Sequence, residues 1–252
     1  MNTSGFHPSW SGRISRQELI TNYDPDRFTA VFSEKTQDHI DLTWKERRAD
    51  ALQRGVSVFN APLIRLNKLQ SGSTGALHIE LGNTDYRQYM GTRSPDFTGQ
   101  RANPIGTYLI PITSDGFIPL GRRSLQAEVN SGKYFTFGGF LEADTDMRGG
   151  VPDMFACMQR EMLEETGLTI SPDNLMLIGV IDDLIHCHPE FSFISRLDVD
   201  SVMFKNMLWQ NELNSLSFVA VDDLPDFVAR NSTQIVPTLR GALNIFMETV
   251  IP

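Results

Sequence analysis

Apolar and polar positions change rhythm along this 252-residue chain. In Gln37–Gln53 (QDHIDLTWKERRADALQ), Ile40, Trp44 and Ala51 share one face at helical spacing, and Gly55 follows as a stop. Short strand-like runs come next at Ser57–Phe59, Leu63–Leu69 and Ala76–Leu81, separated by Gly, Ser and Asn. Asn83–Thr92 reads as a loop entering a short helix, with Thr84 or Asp85 as its N-cap. Residues 93–103 are turn-rich and mark a candidate boundary. Beyond them, Gly106–Thr113 and Phe117–Arg122 flank Ser114-Asp115-Gly116 in the pattern of a β-hairpin. Tyr134–Phe137, Leu175–Asp182, Phe191–Leu197 and Leu216–Val221 are further strands, and Asp153–Thr166 and Pro237–Glu248 are helices.

Strands on both sides of a helix predict a mixed α+β domain over 104–252, with a smaller N-terminal α/β region over 1–103. The composition, 40% hydrophobic and 21% charged, is that of a globular protein. No apolar run approaches the roughly 18–20 residues of a membrane span, and Met1–Arg16 lacks the apolar core of a signal peptide. Only two cysteines, Cys157 and Cys187, occur, which fits a reduced cytoplasmic setting. The net charge of −9 argues against a nucleic-acid face. It leaves room for a small anionic substrate whose charge a bound cation neutralises.

The informative segment is Arg160-Glu161-Met162-Leu163-Glu164-Glu165-Thr166-Gly167-Leu168. On a helix, Glu161, Glu164 and Glu165 fall on one face. Like charges so placed cost helix stability unless a cation relieves them, and Arg160, four residues before Glu164, does so in part. The remaining charge suits a hard divalent ion such as Mg²⁺ or Mn²⁺. Phe155, Met162 and Leu163 are expected on the core side, and Gly167 is expected to end the helix.

With Phe137-Gly138-Gly139 upstream, the segment resembles the box of the Nudix hydrolases, G-x5-E-x7-R-E-U-x-E-E-x-G-U with U aliphatic. The second half matches fully from Arg160 to Leu168. The first half departs from it: Gly139 lies 21 positions before Arg160 instead of fourteen, so about seven residues are inserted within Asp144–Pro152. Pro152 stands where the first box Glu is expected, which leaves Glu142, Asp144, Asp146 or Asp153 to take the acidic role. Asp153 can equally be a helix N-cap. Ala61–Leu66, Asn83–Arg87, Met90-Gly91-Thr92 and Pro104-Ile105-Gly106 further resemble the UDP-sugar diphosphatase branch of that family.

The resemblance implies a Nudix-type α/β/α sandwich with a mixed sheet. It also implies Mg²⁺-dependent (or Mn²⁺-dependent) hydrolysis of UDP-glucose or UDP-galactose to UMP and a hexose 1-phosphate, by a monomer or homodimer. Glu164 and Glu165 are the implied main metal ligands, Glu161 a further one, and a glycine carbonyl at Gly138 or Gly139 another. Arg160 is expected to orient the Glu cluster. Glu190 is the first candidate general base, against Asp182, Asp183 and Glu212. Arg65, Tyr86 and Arg87 are candidate uridine or sugar contacts, and Arg93, Arg101, Arg122 and Arg123 candidate diphosphate contacts. His186-Cys187-His188 lacks the further ligands of a zinc site and reads better as a pocket rim. Two other readings stay open: the same chemistry on ADP-ribose, another nucleotide sugar or a dinucleotide, and a non-catalytic nucleotide-binding module.

Overall fold

The computed structural model describes residues 4–72, 75–127, 129–207 and 213–250. The strands are β1 (Phe6–Ile14), β2 (Leu19–Tyr23), β3 (Pro62–Ser71), β4 (Leu77–Asp85), β5 (Gly106–Ile112), β6 (Phe117–Arg123), β7 (Tyr134–Phe135), β8 (Phe137–Phe140), β9 (Met147–Arg148), β10 (Val151–Pro152), β11 (Met176–Asp183), β12 (His188–Arg196) and β13 (Leu213–Ala220). The helices are α1 (Pro25–Phe28), α2 (Glu34–Gln53), α3 (Tyr86–Thr92), α4 (Met154–Thr166), α5 (Ser201–Lys205), α6 (Leu224–Asn231) and α7 (Pro237–Thr249).

A five-stranded sheet, in the order β1-β11-β12-β5-β8, forms the centre. It is mixed, because β12 and β5 run parallel while the other pairs are antiparallel. Alternate residues of its strands face opposite ways. Leu109, Phe191 and Phe193 join one core with Met158 and Met162 of α4. Tyr108, Ile110 and Ile194 join the other with Leu239, Leu243 and Phe246 of α7. Helices thus cover both faces, and the fold is α+β with mixed sheets, as expected.

Two neighbouring sheets complete it, β13-β6-β7 and β2-β4-β3. The turn at Ser114-Asp115-Gly116 forms, with the Thr113 amide donating to the Phe117 carbonyl at 2.8 Å. The flanking strands do not make the expected hairpin. Both edges of β5 are already paired, to β12 and β8, so β6 crosses to the second sheet. The predicted strand at Tyr134–Phe137 splits for a related reason. Its first half pairs with β6 and its second with β5, while buried Thr136 between them donates to the Leu109 carbonyl. Ser57–Phe59 is not a strand.

The division at 103/104 does not separate two cores. β1 forms an edge of the central sheet against β11. Ile64, Leu66, Leu77, Ile79 and Leu81 pack in the same cluster as α4. The Ile105 amide donates to the Ile64 carbonyl, and the Ile64 amide to the Leu141 carbonyl, stitching the two halves together at 2.9 Å each. No helix among the described residues is long and apolar enough to cross a membrane.

Candidate active site

Helix α4 carries the carboxylates, and its ends are fixed locally. Asp153 caps its N-terminus, accepting from the Phe155 amide at 3.0 Å and the Ala156 amide at 3.3 Å. Gly167 ends it at φ 76°, a left-handed conformation that glycine adopts without penalty. Met154, Phe155, Cys157, Met158 and Met162 bury one face. Leu163, expected in the core, is half exposed. The opposite face turns Glu161, Glu164 and Glu165 into a cleft of about 570 Å³.

The glycine pair forms the cleft's second wall. Gly138 has φ 155° and lies so close to β5 that a β-carbon would overlap the Thr107 carbonyl. Its amide donates to Glu165 Oε2 at 3.1 Å. A β-carbon on Gly139 would collide with the Glu161 carboxylate, so the absence of a side chain lets that group lie against the strand. The Gly139 carbonyl accepts from the Thr107 hydroxyl at 3.1 Å.

Arg160 sits within the cluster. Its Nε and Nη2 grip the two oxygens of Asp146 at 2.9 and 2.8 Å, and Nη1 donates to Glu161 at 2.8 Å and to Glu164 at 3.2 Å. The bond to Asp146, above all, holds its guanidinium well above its ordinary range. Asp146 is 1% exposed and, of the four acidic residues considered, is the one that Arg160 grips. It reaches Arg160 because the inserted segment folds as a tight hairpin, β9 to β10, about Gly149-Gly150. Gly-Gly between two short runs is a hairpin signal already present in the sequence. Asp153 is the N-cap and also pairs with Arg16.

Burial pushes Glu161 up to about 7, against the pull of Arg160 and with help from Glu164 and Asp146. A desolvated carboxylate among other carboxylates is short of positive charge. Hard oxygen donors of this kind fit a divalent ion such as Mg²⁺ or Mn²⁺. Among the described residues no three acidic, imidazole or thiol groups stand as a ready-made cage. Arg160 Nη1 bridges Glu161 and Glu164, and Glu164 is half exposed.

Glu190 enters the same cleft from β12. Its register partner on β5 is Gly106, where a β-carbon would overlap the carboxylate. Glu190 Oε1 bonds His188 Nε2 at 3.0 Å. Among the rival bases, Asp183 accepts from the Ile185 and His186 amides and from the His186 ring, and Asp182 pairs with Ser9 outside the cleft lining. Glu212 lies outside the described residues. His186 and His188 both line the cleft but are tied to different carboxylates, Asp183 and Glu190.

The candidate substrate residues divide. Tyr86, Arg93 and Arg123 line the cleft. Arg65 does not: it is 5% exposed and its guanidinium holds the carbonyls of Phe28, Ala102 and Arg101. Arg101 similarly gathers the carbonyls of Thr92, Ser94, Pro95 and Phe97. Arg87 pairs with Asp41, tying α3 to α2. Arg122 bonds the Gly132 carbonyl and Gln234, with its guanidinium 3.8 Å from the Tyr134 ring centre. None of these four lines the cleft: Arg65, Arg101 and Arg122 are engaged with backbone carbonyls, and Arg87 with a carboxylate. Tyr89, overlooked in the sequence, lines the cleft and contacts His188. Its place on α3, one helical turn beyond Tyr86, was the available signal.

No protein-family model matches this chain, and no curated protein matches it. Among solved structures it is similar to a MutT protein from Methanosarcina mazei Go1, at 19% identity and a TM-score of 0.44, over 57% of this chain and 93% of that one. It is similar to a NUDIX hydrolase from Nitrosomonas europaea at 15% identity and a TM-score of 0.41, over 57% and 88%. It is also similar to a bifunctional NMN adenylyltransferase/ADP ribose pyrophosphatase from Francisella tularensis, complexed with AMP and a manganese ion, at 14% identity and a TM-score of 0.43. That match covers 61% of this chain and spans less than half, 42%, of the other. Likenesses this distant carry no weight in assigning a reaction to these residues.

Proposed function

We propose that this protein is a Nudix-type hydrolase that cleaves the diphosphate linkage of a nucleotide sugar, UDP-glucose or UDP-galactose foremost, to UMP and a hexose 1-phosphate. The observation that carries the reading is the meeting of Glu161, Glu164, Glu165 and Glu190 with the Gly138-Gly139 backbone in one cleft. Glu164 and Glu165, with Glu161 and the Gly139 carbonyl, are the groups that would hold Mg²⁺ or Mn²⁺. When bound, such an ion supplies neutralisation of the diphosphate charge and polarisation at phosphorus.

The chain's own residues do the rest. Arg160, anchored on Asp146, keeps Glu161 and Glu164 together. Glu190 takes the proton of the attacking water as the oxygen–phosphorus bond forms and the bridging oxygen–phosphorus bond breaks. Arg93 and Arg123 supply positive charge for the diphosphate, and Tyr86 forms part of the cleft wall. Such a displacement depends mainly on positioning and charge stabilisation.

The test is a substrate panel with products identified by chromatography. UMP accumulates from UDP-glucose with Mg²⁺ and not with EDTA. Glu164→Gln and Glu165→Gln leave folding intact and abolish turnover. Undiminished activity in the double variant refutes the metal assignment. Preferential cleavage of ADP-ribose moves the substrate, and binding without turnover on every substrate points to a non-catalytic module.

A further inference from the structure

Beside the carboxylate cluster, the cleft contains a second polar arrangement that the proposed reaction does not yet use. His188 is 8% exposed and is held at both ring nitrogens. Nε2 meets Glu190 Oε1 at 3.0 Å, and Nδ1 meets the Tyr89 hydroxyl at 3.1 Å. The Tyr89 ring stands edge-on to the His188 ring, with centroids 5.3 Å apart, and Phe140 of β8 closes the third side at 5.5 Å. Tyr89 is itself 4% exposed. The imidazole can neither rotate nor shift without leaving a buried polar atom unpaired, which is costly.

We propose that Tyr89 and His188 form a relay that positions the Glu190 carboxylate toward the reacting centre, with His188 and Tyr89 as positioning residues. The proposal rests on Glu190 acting as the base. Hydrogen-bond arithmetic selects one neutral arrangement. Nε2–H donates to Glu190, which as a carboxylate can only accept, and Nδ1 accepts from the Tyr89 hydroxyl. Glu190's second oxygen lies over Gly106, where no side chain crowds it. The carboxylate is thereby fixed in rotation and keeps one oxygen for a water.

The charges facing His188 come from several elements. Glu190 lies on its own strand, Asp183 is its register partner on β11, His186 is in the preceding turn, and Tyr89 on α3 carries the Arg93 guanidinium 5.9 Å from its ring centre. Burial pulls His188 down, but Glu190, Asp183 and the His186 backbone outweigh it, so the ring protonates above its ordinary range. Once protonated, His188 makes a full ion pair with Glu190 and weakens it as a base. Turnover should therefore rise with pH as His188 loses its proton.

The experiment compares Glu190→Gln, His188→Gln and Tyr89→Phe in the full-length protein with saturating Mg²⁺. His188→Gln should lower kcat by about 10–100-fold with KM within about twofold, since misplacement by an ångström is that costly. It should also displace the acid limb of the pH profile, to which Glu161 contributes in its own right. Tyr89→Phe should lower kcat less and displace the same limb. Loss of activity in Glu190→Gln, with wild-type kcat and pH profile in the other two, overturns the relay alone. Full activity in Glu190→Gln overturns the base assignment beneath it. His188 titration followed by NMR needs no turnover and no His188 variant: its pKa should fall by at least about one pH unit in Glu190→Gln. An unchanged value also overturns the relay.

Discussion

Replacing Asp146 by Asn tests whether the Arg160 clamp is a buried support or an ordinary helix pair. Asp146 is 1% exposed, and the Arg160 side chain 19%. Two charge-assisted bonds at 2.8 and 2.9 Å join them, and a third, from the Glu142 amide at 2.9 Å, fixes the carboxylate. Asn keeps the shape, but its NH₂ must face an Arg160 N–H in either orientation, and in one of them the Glu142 amide as well. Removing one partner of a buried pair costs about 3–5 kcal/mol. Arg160 keeps Glu161 and Glu164 as acceptors and is partly solvated, so the lower end, about 3 kcal/mol, is expected. For a chain of this size that lowers Tm by roughly 6–12 °C. An exposed pair at helical spacing would give only ~0.3–0.5 kcal/mol. Urea denaturation followed by circular dichroism measures the difference as a lower midpoint at unchanged slope. A loss below about 1 kcal/mol refutes the clamp. A second effect follows: without Asp146, Arg160 relies on Glu161 and Glu164, and Mg²⁺ should stabilise the variant less than the wild type.

Glu161 gives a pH prediction. Its folded pKa, about 7, exceeds the ordinary 4.5, so the fold favours its protonated form. Ionisation then costs stability, beginning above pH ~4.5 and complete above ~7, by at most roughly 3 kcal/mol. Glu161→Gln should be more stable than wild type at pH 8 and equal to it near pH 4.5 by thermal melts, and an identical pH dependence in both proteins counts against it. At Gly106, substitution by Ala inserts a β-carbon into the Glu190 carboxylate. Turnover should fall at least about tenfold while the metal-induced rise in Tm persists, and wild-type kcat would mean that Glu190 is not where the chemistry happens.

The site was legible in the sequence where its residues are local. Glu161, Glu164 and Glu165 share a helix face by spacing alone, and Asp85 and Gly167 punctuate their helices by residue type. Contacts that the chain makes over long separations were not legible. Asp146 could not be singled out from Glu142, Asp144 and Asp153, because the choice depends on how the Gly149-Gly150 hairpin returns to Arg160. The arginines misled for a chemical reason. Arg65 and Arg101 have the charge to bind a diphosphate, but guanidinium donors also serve to collect loop carbonyls, and only the path of the loop decides between the two. Likewise the Ser114-Asp115-Gly116 turn is local and was found, whereas the occupancy of β5's edges by β12 and β8 is not local.

The same non-locality makes the N-terminal region structural as well as functional. A fragment of residues 104–252 would leave β11 without its edge partner β1. It would also strip Ile14, Ile64, Leu66, Leu77, Ile79 and Leu81 from the core that α4 shares. Each buried aliphatic side chain contributes about 1.5–3 kcal/mol. Six of them together match or exceed the whole stability of a typical domain, about 5–15 kcal/mol. Tyr89 would go too, opening the wall behind His188. The fragment should therefore keep some secondary structure but lack a cooperative melt and bind a hydrophobic dye. A sharp transition near the full-length Tm would show instead that the central sheet closes without its first strand, and the cleft would then have to be rebuilt from residues 104–252 alone.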